Sequence, residues 1–373
     1  MSRLRVRELV RKEFIQLFRD RKNRPLLIIA PLVQLIVFGY VVTTDVRDIR
    51  VALLDQSHTP ESRRLINAID GNKTFRITHY LSRSADLDRL LLQREIDLGV
   101  IIPPDFGSLI RQRETADIQI LADGSMSNMA SIRISYTMVL LEQFNVGLIR
   151  DLYRKRIDYG EIDGRIRTWY NPNLDSQYFY VPAIVAVLVM LLSLLFTSMA
   201  IVREKESGTM EQLIVTPLKP FELILGKTIP FIIISQAQII VVIAFAIWWF
   251  EIPMVGNAFL LLVATFIFLL STLGIGLFVS TISKTQQQAM MTNFFFVLPF
   301  FMLSGFVFPI ANMPTVVQWL TYLNPLQYFL VIIRGIFLKG TGLEVLWPQF
   351  VGLAVLGGIV FPAAVNRFQK RLD

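Results

Sequence analysis

Long charge-free runs dominate the hydrophobic pattern of this chain. Pro25–Thr44, Ser176–Val202, Thr228–Phe250, Ile252–Ser283, Thr285–Ile333 and Val345–Asn366 contain no Asp, Glu, Lys or Arg. About 20 apolar residues, wound as a helix, cover the roughly 30 Å hydrocarbon core of a bilayer. The pattern therefore predicts six transmembrane helices, at about 25–44, 178–202, 225–249, 258–282, 287–308 and 345–366. The run 285–333 is too long for one span, and Pro299, Gly305, Pro309, Asn312, Pro314, Asn324 and Pro325 break it repeatedly. Irregular backbone at membrane depth is tolerated only where protein or a water-filled cavity shields it. A re-entrant segment is expected within 309–340, with short helices at about 315–337 that return to the face they came from, before the last span.

Between the first two spans the pattern changes. Residues 45–177 carry charges of both signs and only short apolar runs. Ile49–Leu54, Phe75–His79, Leu98–Ile102 and Ile118–Leu121 read as strands. Pro60–Ile69, Ala85–Gln93 and Pro104–Gln112 read as helices, with apolar residues three and four apart. A longer helix is expected from Asn128 to about Arg156. Strands alternating with helices predict an inserted α/β domain with a partly parallel sheet. The fold class expected is thus an α-helical polytopic membrane protein carrying an α/β extracytoplasmic domain.

Charge adds orientation. Lys and Arg near span ends mark the cytoplasmic side, while large translocated domains are exempt. Nine precede the first span, four lie in the 203–227 loop (Arg203, Lys205, Lys219, Lys227), Lys284 follows the fourth span, and Arg367, Lys370 and Arg371 close the chain; the opposite side has only Arg334 and Lys339. Both termini are expected in the cytoplasm and 45–177 in the periplasm. Residues 1–24 are basic, with Val6, Val10, Phe14, Leu17 and Phe18 on one helical face, as in an amphipathic helix lying on an anionic leaflet. The net charge of +8 therefore does not point to nucleic acid, because it is spent on topology. With 53 % hydrophobic residues and no cysteine, the chain has no disulfide, thiolate metal site or Cys nucleophile.

Candidate chemistry is sparse. His58 and His79 are the only histidines and do not make a ligand set. Asp123-Gly124-Ser125 reads as a turn before the long helix, without the surroundings of a nucleophile elbow. Gly226-Lys227-Thr228 matches the end of a P-loop, but Phe221 stands where its first glycine must be, and the triplet opens a span rather than following a strand. Lys227 reads instead as a positive-inside anchor. The polar residues within the spans include Gln34, Ser193, Gln236, Ser271 and Asn293, none ionisable, which argues against a proton relay. Met190, Phe196 and Met199 in the second span, with Asn293, Phe294, Phe300 and Met302 in the fifth, offer the adaptable apolar surface that suits a pathway for hydrophobic cargo.

The segment REKESGTMEQLIVTPL, Arg203 to Leu218, is dense in charge where the second span meets the cytoplasm. Together with SGFVFPIANMP…LTYLNPLQYFLVIIRGIFLKG after the fifth span and KEFIQLFRDRKNR before the first, it strongly resembles the type-2 ABC exporter permeases, in particular drug-efflux-like members with a large periplasmic domain. The resemblance implies that the 203–227 loop forms a coupling helix docking on a separate ATPase, with Glu204, Glu206, Gly208, Thr209, Glu211, Thr216 and Pro217 as candidates. It implies a non-catalytic permease subunit without a cofactor of its own, ATP being bound by the partner. It further implies a second permease copy or similar chain, and leads to the expectation of a periplasmic adaptor and outer-membrane channel at the bacterial inner membrane. A membrane-anchored sensor or scaffold whose external domain binds a ligand is the competing reading.

Overall fold

The computed structural model describes residues 3–19, 23–42, 48–124, 127–153, 169–171, 175–208 and 220–369. The chain divides into two compact units, one comprising Met1–Thr43 with Arg167–Asp373 and the other Thr44–Ile166.

The second unit is built on four strands, β1 (Ile49–Asp55), β2 (Phe75–Tyr80), β3 (Leu98–Ile102) and β4 (Gln119–Ala122), in the order β2-β1-β3-β4. β1 runs parallel to β2 and β3, and β4 closes the edge antiparallel to β3. Four helices connect or cover the sheet: α3 (Pro60–Asp70), α4 (Ser84–Leu92), α5 (Phe106–Gln112) and α6 (Ser127–Tyr153). β1 is buried almost throughout because helices cover both faces, so it reads as a continuous apolar run rather than an alternating one. Thr59 caps α3 with Pro60 in its first turn, and Thr59 and Ser62 satisfy each other's backbone donors. Pro104, by contrast, does not open α5, which begins at Phe106. His58 lies 80 % exposed in the β1–α3 turn and His79 sits on β2.

Asp97, at the start of β3, ties this sheet to α6. It accepts from the backbone N, Nε and Nη2 of Arg50, and Arg133 Nη2 lies 2.8 Å from its Oδ1. Burial alone would raise the Asp97 pKa, but these hydrogen bonds and the two guanidinium charges outweigh it and hold the carboxyl below its ordinary value of 3.8. A depressed folded-state pKa contributes stability that is present above the unfolded value and lost as pH falls through the folded one. Asp97→Ala is expected to weaken this unit by about 2 kcal/mol, below the roughly 3–5 kcal/mol of a fully buried pair because Arg50 is about a third exposed. Amide hydrogen exchange of β1 and β3 in the full chain reads this. Protection in the wild type should fade only below about pH 4.

The first unit is helical: α1 (Arg3–Arg19), α2 (Asn23–Val41), α7 (Ser176–Glu206), α8 (Pro220–Phe250), α9 (Ala258–Ile282), α10 (Gln286–Met302), α11 (Thr315–Thr321), α12 (Pro325–Arg334), continued by a π-turn to Lys339, and α13 (Leu343–Gln369). Four of these, α7, α8, α9 and α13, are long and apolar enough to cross a bilayer. The α11–α12 pair, bent by 80°, makes a fifth if counted as one. The chain is accordingly a polytopic membrane protein. The first and fifth predicted spans are shorter than expected, at 19 and 17 residues. The fifth stops at Met302 rather than 308, because Pro299 weakens its last turn and Gly305 (φ 81°) then takes the chain into a left-handed turn.

Contacts fix which helix ends share a face. Tyr40 meets Trp249, Gly256 lies against Ile336, and Arg334 reaches Phe179 and Gly305 at one end. Glu13, Glu204, Lys227, Ser280 and Gln286 meet at the other. α10 therefore runs opposite to α9, and the bent pair returns to the end where α10 finished. The core forms around α7, whose residues from Val181 to Met190 are buried except Val187. Small residues let α9 approach its neighbours: a Cβ on Gly274 would lie 2.9 Å from the Phe361 backbone.

Candidate functional site

The segment singled out by its charge begins in the last turn of α7, and there Glu204 turns inward. Glu204 Oε2 lies 2.5 Å from Lys227 Nζ, which also donates to Glu13 Oε1 at 3.0 Å. Lys12 Nζ stands 3.6 Å from the other Glu204 oxygen. Glu13, Glu204 and Lys227 are each 5 % exposed or less. Among the described residues two carboxylates face two ammonium groups, and such pairing is the condition under which burying charge is tolerable. Gly226 makes the close approach possible: a Cβ there would lie 2.3 Å from Leu9. α1 is thereby seated on α8 through Val6, Leu9 and Glu13, a face only partly overlapping the stripe expected from apolar spacing. Phe18, from that stripe, is about half exposed.

The next two residues reach other helices. Lys205 Nζ donates to the Ser280 carbonyl in the last turn of α9, where a cation complements the helix dipole. Glu206 accepts from Gln286 Nε2 at 2.6 Å, at the start of α10. Three consecutive side chains thus bind α7 to α1 and α8, to α9 and to α10. Gly208 follows with φ 71°, a left-handed conformation that glycine adopts without strain, and turns the chain out of α7. Glu204 and Glu206 are therefore both engaged within the chain, Glu204 buried and Glu206 exposed. Thr209, Glu211, Thr216 and Pro217 lie outside the described residues.

A cavity of about 750 Å³ lies between α2, α7 and α10. Of the residues expected along a cargo pathway, Phe196, Met199 and Phe294 line it, joined by Met290, Phe38 and Gln34. Met190 is instead fully buried in the core. Asn293 donates to Ser198 Oγ at 2.6 Å and ties α10 to α7. Phe300 packs against the core and Met302 is exposed, neither lining the cavity. The contribution of α2 was missed by sequence reasoning; its signal was Gln34, a lone amide in an apolar run. At the end away from Glu204, Phe306 packs against Tyr180 and Phe301, with ring centroids 5.8 and 4.9 Å apart. Arg334 braces that closure, its guanidinium 3.7 Å from the Phe179 ring centroid and its Nε donating to the Phe179 carbonyl.

Comparison with known proteins accords with this arrangement. The profile of the family described as ABC-2 family transporter protein matches residues 25–365. The "Probable multidrug ABC transporter permease YbhR" of Escherichia coli (strain K12) is 32 % identical over 364 residues, covering 98 % of each chain. "Probable multidrug ABC transporter permease YbhS" of the same organism is 32 % identical over 388 residues, covering 100 % of this chain and 99 % of its own length. "ABC transporter G family member 20" of Dictyostelium discoideum is 21 % identical and covers 94 % of this chain with 48 % of its own length. With a family match from the first apolar run to the last, and full-length relatives at this identity, the chain belongs to the ABC-2 family of transporter proteins.

Proposed function

We propose that this protein is the membrane subunit of an ATP-driven ABC exporter, moving an apolar drug-like or lipid-like molecule outward across the bacterial inner membrane. The full-length match to permeases carries this reading. The chain crosses the membrane six times with both termini cytoplasmic, α2 and α10 serving as short spans of about 28 and 25 Å. It acts as a pair with a second copy or a similar permease, and separate ATPase chains bind and hydrolyse ATP. Residues 209–219, including Thr209, Glu211, Thr216 and Pro217, form the surface the ATPase grips. Glu204, Lys205 and Glu206 act one step inward, as positioning residues that pass movement of the loop to α1, α8, α9 and α10. A ligand shifts a two-state equilibrium only by its differential affinity, so the α2–α7–α10 cavity holds cargo in one state and releases it in the other. The unit from Thr44 to Ile166 lies outside and meets a periplasmic adaptor leading to an outer-membrane channel. Its cleft of about 770 Å³, with Phe106, Ile110 and Ile120 inside and Arg113, Glu114 and Asp117 at its rim, supports that role.

Reconstitution with candidate ATPase partners tests the proposal. Vanadate-sensitive ATP turnover should appear, apolar cargo should stimulate it, and Phe196→Ala with Phe294→Ala should lower that stimulation about tenfold, the loss of roughly 1.4 kcal/mol of contact. Turnover that no partner supports would overturn the transport reading. Crosslinking from residues 60–115 that captures no envelope partner would remove the adaptor.

A further inference from the structure

A second concavity, of about 570 Å³, opens between α9, α10 and α13 on the same helix ends as the Glu204 cluster. Ile275, Phe296, Ile359 and Val360 form its floor and walls, and Asn366 and Arg367 stand at one end. From Ile359 to Arg367 the groove rises about 12 Å, close to the depth of one leaflet. Among the described residues no carboxylate lines it. Among the described residues Arg367 has no acidic partner; its guanidinium lies 5.1 Å from the Phe278 ring centroid, which holds it over the mouth of the groove. Lys370 and Arg371 follow in sequence. This juxtaposition, an apolar channel one leaflet deep capped by an arginine without an acidic partner among the described residues, matches a membrane lipid with a negative headgroup.

We propose that the α9–α10–α13 groove is a binding site for an anionic phospholipid, with one acyl chain along Ile275, Phe296 and Ile359 and its phosphate on Arg367. Basic residues at the cytoplasmic ends of spans attract such headgroups. The occupant is a bilayer lipid rather than a soluble phosphate, because an apolar channel leads away from the charge. A lipid seated there would wedge α13 against α9 and α10, the helices whose ends Lys205 and Glu206 hold.

Native mass spectrometry of the full chain in detergent, titrated with phosphatidylglycerol or phosphatidylcholine, tests this without depending on the transport reading or on orientation. The wild type should retain one phosphatidylglycerol per chain about fivefold more tightly than phosphatidylcholine, the preference expected of a single surface arginine. Arg367→Gln should erase the preference and Arg367→Lys should keep part of it. Ala363→Trp, which fills the groove and leaves the charge, should lower retention of both lipids. Equal retention of the two lipids by the wild type, or an Arg367→Gln chain that keeps the preference, overturns the proposal. Glycerol 3-phosphate that displaces the bound lipid at equal concentration would show that the charge alone binds, and would also overturn it.

Discussion

Lys227→Met is expected to be the most damaging single substitution in the membrane unit. It removes the cation between Glu13 and Glu204 and leaves two buried carboxylates without it, the half-exposed Lys12 standing beside Glu204. Breaking a buried pair by deleting one partner costs about 3–5 kcal/mol, because the surviving charge keeps its desolvation penalty. For a unit of this size the melting temperature in detergent should fall by roughly 10 °C. The combined variant Glu13→Gln, Lys227→Met, Glu204→Gln removes all three charges and should recover most of the loss, since an uncharged cluster has no such penalty. Recovery of stability without recovery of cargo-stimulated ATP turnover would separate a part in coupling from a part in folding. A Lys227→Met chain that melts with the wild type would show that the three side chains do not form one buried network.

Phe329→Ala should cost about 3 kcal/mol in a mixed-micelle unfolding titration. Phe329 lies on α12, the second arm of the bent pair, and stacks on Phe268 of α9 with centroids 4.3 Å apart and planes 7° apart. Both rings are fully buried. Truncating a buried Phe in water-soluble cores costs about 3–5 kcal/mol; the lower figure applies because lipid is as apolar as the core, leaving mainly lost packing. Trp319→Ala on the first arm, where the ring is 71 % exposed, should stay within about 0.5 kcal/mol. Equal effects at the two positions would show that α12 does not pack into the bundle as described.

Several elements were legible before any fold was seen because their signals are local. β3 falls on its expected residues, and β1 and β2 extend theirs by one. The break near Gly305 and the short helices after Pro314 and Asn324 follow from residues that cannot continue a helix. The ends of α2 and α10 were less legible, since an apolar run shows where a helix can lie in lipid but not where tertiary contacts stop it.

The cavity between α2, α7 and α10 was half legible. Phe196, Met199 and Phe294 could be named from chemistry, yet Met190, with the same chemistry, points into the core. Composition shows what a side chain could bind, and only packing shows which way it faces. Glu204 makes the contrast sharpest: beside Arg203 and Lys205 it reads as a solvated handle, whereas its partner Lys227 lies 23 positions on and Glu13 far back near the amino terminus.

By itself the sequence determined that this chain lives in a bilayer, that an α/β segment interrupts its spans, and to which transporter family it belongs. Each of these follows from run length, spacing or motif, which survive in one dimension. Only the tertiary structure decided that α1 seats on Gly226, that the acids before the loop hold the bundle together, and that α2 helps enclose the cavity. Those are contacts between residues up to 214 positions apart, and no periodicity within one helix encodes what lies across from it.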